Sequence, residues 1–196
     1  MDRRTTVWAA VLLVSTCAAA RGETLAIRTY DGFGVSASRM TRAQGVATAL
    51  LAAADVDALW IDCTAPASCL SPVGLREVVV RFVASPSGES RDVLGEALVD
   101  RTAHAGVFAT IFADHVDAVA ARVDIDQAVL LGRTLAHEIG HLLGRSHQRA
   151  GLMRSRWSDD ELRRQRDSDW LWSTERDPAT GTVVTCRAAG AKCVRG

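Results

Sequence analysis

The chain has no excess of either charge and no basic run. Its 23 Lys and Arg side chains are matched by 23 Asp and Glu, so it lacks the electrostatic footprint with which nucleic-acid-binding domains gather phosphates. It also lacks a second long apolar run. Beyond the first twenty residues no stretch is long and apolar enough to span a bilayer as a helix. No internal repeat and no low-complexity segment interrupts it. Tyrosine occurs once, at Tyr30, and no cysteine pair has the C-x₂-C spacing of a zinc ribbon. What remains is 196 residues, 48% apolar and 23% charged, the make-up of one globular domain with at most a small appendage.

The first twenty residues read as an export leader. Arg3 and Arg4 give a positive start, residues 7–14 a short apolar run, and Ala18, Ala19 and Ala20 an A-x-A cleavage site. The Arg3–Arg4 pair is weak support for twin-arginine export, and Thr16 before Cys17 makes a poor lipidation site. Cys63, Cys69, Cys186 and Cys193 remain after cleavage, and four cysteines allow three pairings. The preferred pairs are Cys63–Cys69 and Cys186–Cys193, since each closes a small loop. The expected organisation is a leader over 1–20, a catalytic domain over 21–175 and a cysteine-containing tail over 176–196, in a monomer secreted or held in a periplasm.

The chemistry is concentrated in residues 137–147, His-Glu-Ile-Gly-His-Leu-Leu-Gly-Arg-Ser-His. His137 and His141 stand four apart, so on a helix they share one face and one metal ion. Glu138, beside them, can take a proton from a water that the metal activates. Gly144 can adopt the left-handed conformation that ends a helix, which turns the chain so that His147 returns to the same ion. Three imidazoles leave a tetrahedral position open, as catalytic zinc sites do and structural ones do not. Five fixed positions at average residue usage give a chance match on the order of one in 10⁵ for a chain of this size. The bland reading of a short H-E-x-x-H is a polar stripe on a surface helix; Gly144 and His147 weigh against it.

Six residues beyond His147 comes Met153, in Gly151-Leu152-Met153-Arg154. Together, H-E-x-x-H-x-x-G-x-x-H and a following methionine turn resemble the metzincin family of zinc peptidases. The resemblance is close over 137–153 and elsewhere is one of element order. It implies an α+β fold, a twisted mixed sheet backed by helices, with the active-site helix below it and a small C-terminal subdomain. It further implies Zn2+ held by His137, His141 and His147, Glu138 as general base, Met153 as support beneath the ligands, and a protein or peptide substrate bound along an edge strand somewhere within 94–113. Ser155 stands where several metzincin subfamilies carry tyrosine, so a tyrosine fifth ligand is not expected. Cobalt or iron could occupy a three-histidine site, but zinc suits it best.

Periodicity places strands over 24–29, 58–62, 75–84, 94–99 and 106–113. A helix from Ser36 or Ser38 carries Met40, Ala43, Ala47, Leu50, Leu51 and Ala54. Asp114 is expected to cap a short helix, and Asp126 to open the motif helix; a calcium loop at Asp124 and Asp126 is the less simple alternative. In the motif helix Leu131, Leu135, Ile139 and Leu142 form one stripe, and Thr134, His137 and His141 another. Ser158 and Glu161 make an S-x-x-E capping box, predicting a last helix to about residue 173. His104 and His115 are assigned surface or capping roles. Trp157 walls the substrate pocket or packs in the core, and Trp170 and Trp172 pack the last helix onto the body. Two functional alternatives stay open: a non-catalytic exported module stapled by its metal, and a zinc hydrolase of non-peptide amides or esters. Glu138 favours catalysis over the staple, which has no use for a carboxylate there.

Overall fold

The computed structural model describes residues 23–65, 69–87, 90, 92–100, 102–103 and 105–172, with the backbone of 184–185 and 194–195. The leader, His104, Cys186 and Cys193 lie outside these residues. The fold is α+β. Strands β1 (Glu23–Asp31), β2 (Val56–Asp62), β3 (Glu77–Val83), β4 (Gly95–Asp100) and β5 (Ala105–Phe112) form one sheet in the order β2-β1-β3-β5-β4. The first four positions in that order run parallel, and β4 joins the edge antiparallel to β5. Three helices follow the pattern of the sequence: α1 (Ala37–Ala52), α2 (Ala113–Val123) and α3 (Gln127–Leu142). Residues 184–185 and 194–195 pair as a two-stranded ribbon, β6 and β7. No helix among the described residues is long and apolar enough to cross a membrane.

The strands alternate, and their inward side chains make the core. Ile27 of β1, Val80 and Phe82 of β3, and Ile111 of β5 are fully buried, in one cluster with Leu51 of α1 and Leu130, Leu131, Leu135 and Ile139 of α3. Cys63 and Cys69 are bonded, as expected. The segment after Cys69 is tied down by Arg28, whose guanidinium donates to the Ser71 carbonyl at 2.7 Å and pairs with Glu77 at 2.6 Å.

Helix α3 is buried almost all round, so its neighbours must come very close. At Gly132 a Cβ would lie 2.6 Å from the Ala43 carbonyl oxygen and 2.6 Å from the Val46 Cβ. Neither backbone can give way cheaply, and valine's better helix propensity returns only a few tenths of a kcal/mol. Gly132→Val is therefore expected to cost about 1–3 kcal/mol by overpacking, read as a lower urea midpoint at unchanged slope.

Three sequence expectations are corrected. The helix predicted to reach about residue 173 is a single turn, α4 (Asp159–Leu162), then a 3₁₀ turn over Asp167–Trp170. The Ser158–Glu161 capping box is present, but Arg133 takes the carbonyls of Leu162 and Arg164 and Trp170 also donates to Arg164. Those carbonyls are withdrawn from helix propagation, and Arg163, Arg164 and Arg166 supply no apolar stripe to replace them. Asp114 does not cap α2. The helix starts one residue earlier, and its carboxylate instead accepts from the Ser85 amide and hydroxyl. His115 is buried, and its Nδ1 donates to the Val93 carbonyl at 2.8 Å, holding the chain that leads into β4.

Candidate metal centre

Asp126 caps α3, accepting from the amides of Ala128 and Val129 at 2.8 and 3.2 Å, which settles its role as a cap. Sixteen residues later the helix stops where the sequence indicates. Gly144 is left-handed, at φ 81°, and the amides of Gly144 and Arg145 close onto the carbonyls of His141 and Gly140. The chain then doubles back: the Gln148 amide donates to the Met153 carbonyl at 2.8 Å, and Gly151 at φ 74° makes the tight turn before Met153. This hairpin carries His147 to the end of the helix and Met153 beneath it. Met153 is fully buried. A Cβ on Gly140 would lie 2.6 Å from its sulfur, so the missing side chain at 140 admits the methionine.

The three imidazoles of the motif are brought together. His137 Nδ1 lies 2.7 Å from the Leu152 carbonyl and His141 Nδ1 lies 2.8 Å from the Arg145 carbonyl. A carbonyl oxygen only accepts, so both Nδ1 atoms carry the proton, and both Nε2 atoms present bare lone pairs. His141 Nε2 then stands 3.1 Å from His137 Nε2 and 3.1 Å from His147 Nε2. Between His137 and His141 the facing lone pairs have no proton between them and repel unless a cation sits there, and His147 Nε2 stands where it can join the same ion. Zn–N bonds of about 2.0–2.1 Å in tetrahedral geometry would set such nitrogens roughly 3.3 Å apart. The donor set therefore fits zinc. Burial holds His137 neutral down to about pH 4, against the upward pull of its bond to Leu152 and with help from the neighbouring His141 and His147 rings. His141 is lowered too, first by burial.

Glu138 projects from the same turn into a cleft of about 700 Å³. Leu94, Gly95, Ala97, Trp157, Thr134 and Leu162 are among the residues that line it. Burial, and then the Glu96 carboxylate, push the Glu138 carboxyl up to about 8. At Gly95 a Cβ would lie 2.9 Å from the Thr110 carbonyl and 3.0 Å from the Glu138 Cγ; glycine lets the edge strand pass the carboxylate. β4 pairs with β5 alone, and its other edge meets no strand among the described residues. Within 94–113 the strand at the sheet edge is thus β4. Trp157 meets both sequence readings, half-buried and edge-on to the His137 ring at 5.4 Å while lining the cleft.

Gly95, Gly140 and Arg133 were not singled out by the sequence pattern. Only Arg133 left a signal there, a cation one helical turn before His137 in the series 133, 137, 141. The two glycines matter through close approach of distant segments, which spacing does not encode.

No family model matches the sequence, and no curated protein matches it. Among solved structures, archaemetzincin from Methanopyrus kandleri is similar at a TM-score of 0.43 and 17% identity, over 76% of this chain and 88% of that one. Myroilysin is similar at a TM-score of 0.34 and 12% identity, over 72% of this chain and 58% of that one. At such values neither likeness carries a conclusion about activity, which rests on the geometry of the site.

Proposed function

We propose that the protein is an exported zinc endopeptidase in which His137, His141 and His147 hold the metal and Glu138 is the general base. One observation carries the reading: the Nδ1 protons of His137 and His141 are committed to carbonyls, so their bare Nε2 atoms face each other at 3.1 Å, with His147 Nε2 3.1 Å from the second, beside an open cleft. A zinc ion bound there would supply Lewis-acid polarisation of the scissile carbonyl and a water of lowered pKa. Glu138 takes the proton of the attacking water and returns it to the leaving amine. The unpaired edge of β4 receives an extended peptide as an added strand, and the recess of Val119, Thr134, Leu162 and Trp157 receives a neighbouring side chain. Met153 supports the ligands and takes no part in proton transfer.

The Cys63–Cys69 disulfide supports an oxidising compartment, and residues 1–20 are proposed as the leader that delivers the chain there. A metal staple would need neither the cleft nor a buried carboxylate at its mouth, which favours catalysis. The test is a peptide-library digest by the mature protein with its metal content measured alongside. Cleavage that a chelator stops and zinc restores is expected. Zinc-loaded protein that leaves peptides and casein intact, yet hydrolyses simple esters or amides, would move the assignment to non-peptide substrates.

A further inference from the structure

Arg133 is only 5% exposed, yet no carboxylate chemistry of the proposed reaction calls for it. Its Nη1 donates to the Leu162 carbonyl at 2.9 Å and its Nη2 to the Arg164 carbonyl at 2.7 Å. The guanidinium lies 3.9 Å over the Trp170 ring. Burying a guanidinium is costly unless geometry repays it, and an apolar residue would fill the space as well. What the planar fork adds is the capture of two backbone carbonyls and a ring at once.

The captured segment, residues 157–172, reaches the centre by three routes. Trp170 packs edge-on against Trp157 at 5.2 Å, and Trp157 against His137 at 5.4 Å. The Leu171 carbonyl accepts from the Leu152 amide at 3.4 Å, and the Leu152 carbonyl is the acceptor that orients His137. Trp172 lies under the Arg145 guanidinium at 4.0 Å, and the Arg145 carbonyl orients His141. Both helix histidines are therefore aimed by groups that this strap immobilises.

We propose that Arg133 is a positioning residue for the metal centre: it clamps the 157–172 strap onto α3 one turn before His137 and so fixes the ring orientations of His137 and His141. The proposal rests on these histidines being the ligands. Disturbing groups that orient ligands typically weakens metal binding or activity 10–100-fold. Arg133→Met keeps the stem and removes the fork. It is expected to fold, to bind zinc 10–100-fold more weakly than the parent, and to shift the visible bands of the Co2+-loaded protein, which follow ligand geometry. Arg133→Lys, which keeps the charge but lacks the planar fork, should rescue little of this. Equal zinc affinity and an unchanged cobalt spectrum in Arg133→Met would reduce Arg133 to packing and overturn the proposal, whatever the melting temperature does. A parent protein that takes up neither metal would instead sink the ligand reading, and this inference with it. Should Arg133→Met fail to fold, Trp170→Leu, which breaks the ring relay and leaves both carbonyl bonds, is read by the same two outcomes.

Discussion

Glu138→Gln should lose peptide hydrolysis by at least 10²–10⁴-fold, the usual contribution of a positioned general base, while zinc content stays at the wild-type level. The substitution is nearly isosteric, and Glu138 ligates nothing in the proposed arrangement, so the three imidazoles keep their places. Its second effect is on stability, and the sign can be worked out for the metal-free protein. Glu138 has an ordinary carboxyl value of 4.5 and about 8 in the fold, so folding favours the protonated form. That contribution is complete below pH 4.5 and is lost as pH rises through 8. Glutamine behaves as a carboxyl that never ionises. Metal-free Glu138→Gln should match wild type near pH 4.5 and exceed it by on the order of 4 kcal/mol at pH 8. The comparison cancels His137, whose own loss falls in the acidic window between 6.5 and about 4. Urea titrations at both pH values read the difference. Unchanged hydrolysis in the variant would dismiss Glu138 as the base; equal stability at pH 8 would mean the carboxylate is better solvated than its burial implies.

How much of this was legible in the sequence follows from which interactions are local. The i, i+4 histidines, the Asp126 cap and the left-handed Gly144 are decided within a few residues, and each stands where spacing put it. The strands and the Cys63–Cys69 loop were legible for the same reason. Sheet order was not. That β4 rather than β5 takes the edge depends on pairings across the fold. The last helix was overcalled because its capping box is local and real, while the arginine that ends it sits 29 residues upstream in α3. His115 looked like a surface residue because the Val93 carbonyl that satisfies it is distant in sequence. Local motifs thus gave the three histidines and the Arg145 carbonyl four residues from His141, while the Leu152 carbonyl at His137 and the segment held by Arg133 come from more distant contact.

The second large effect concerns the middle ligand. His141 Nε2 is the atom from which both other imidazoles stand 3.1 Å away, so His141→Ala leaves one imidazole on α3 and one on the exposed returning loop. The metal-free protein should tolerate this: the ring is only half-buried, and its loss removes a desolvated group and the facing lone-pair contact with His137. Metal binding should not survive it. A ligand at a hundred times its Kd stabilises the folded state by about 2.7 kcal/mol, which for a domain of this size raises Tm by roughly 5–10 °C. Wild type should show that rise when zinc is added, and His141→Ala none at the same concentration, with peptide hydrolysis lost in parallel. His147→Ala is the informative contrast. Its ring is exposed and carried on the returning loop rather than on α3, so the two helix imidazoles remain preorganised by their carbonyls and a weaker, partial rise should persist. A full zinc-induced rise in His141→Ala would place the metal elsewhere and remove the basis for the mechanism.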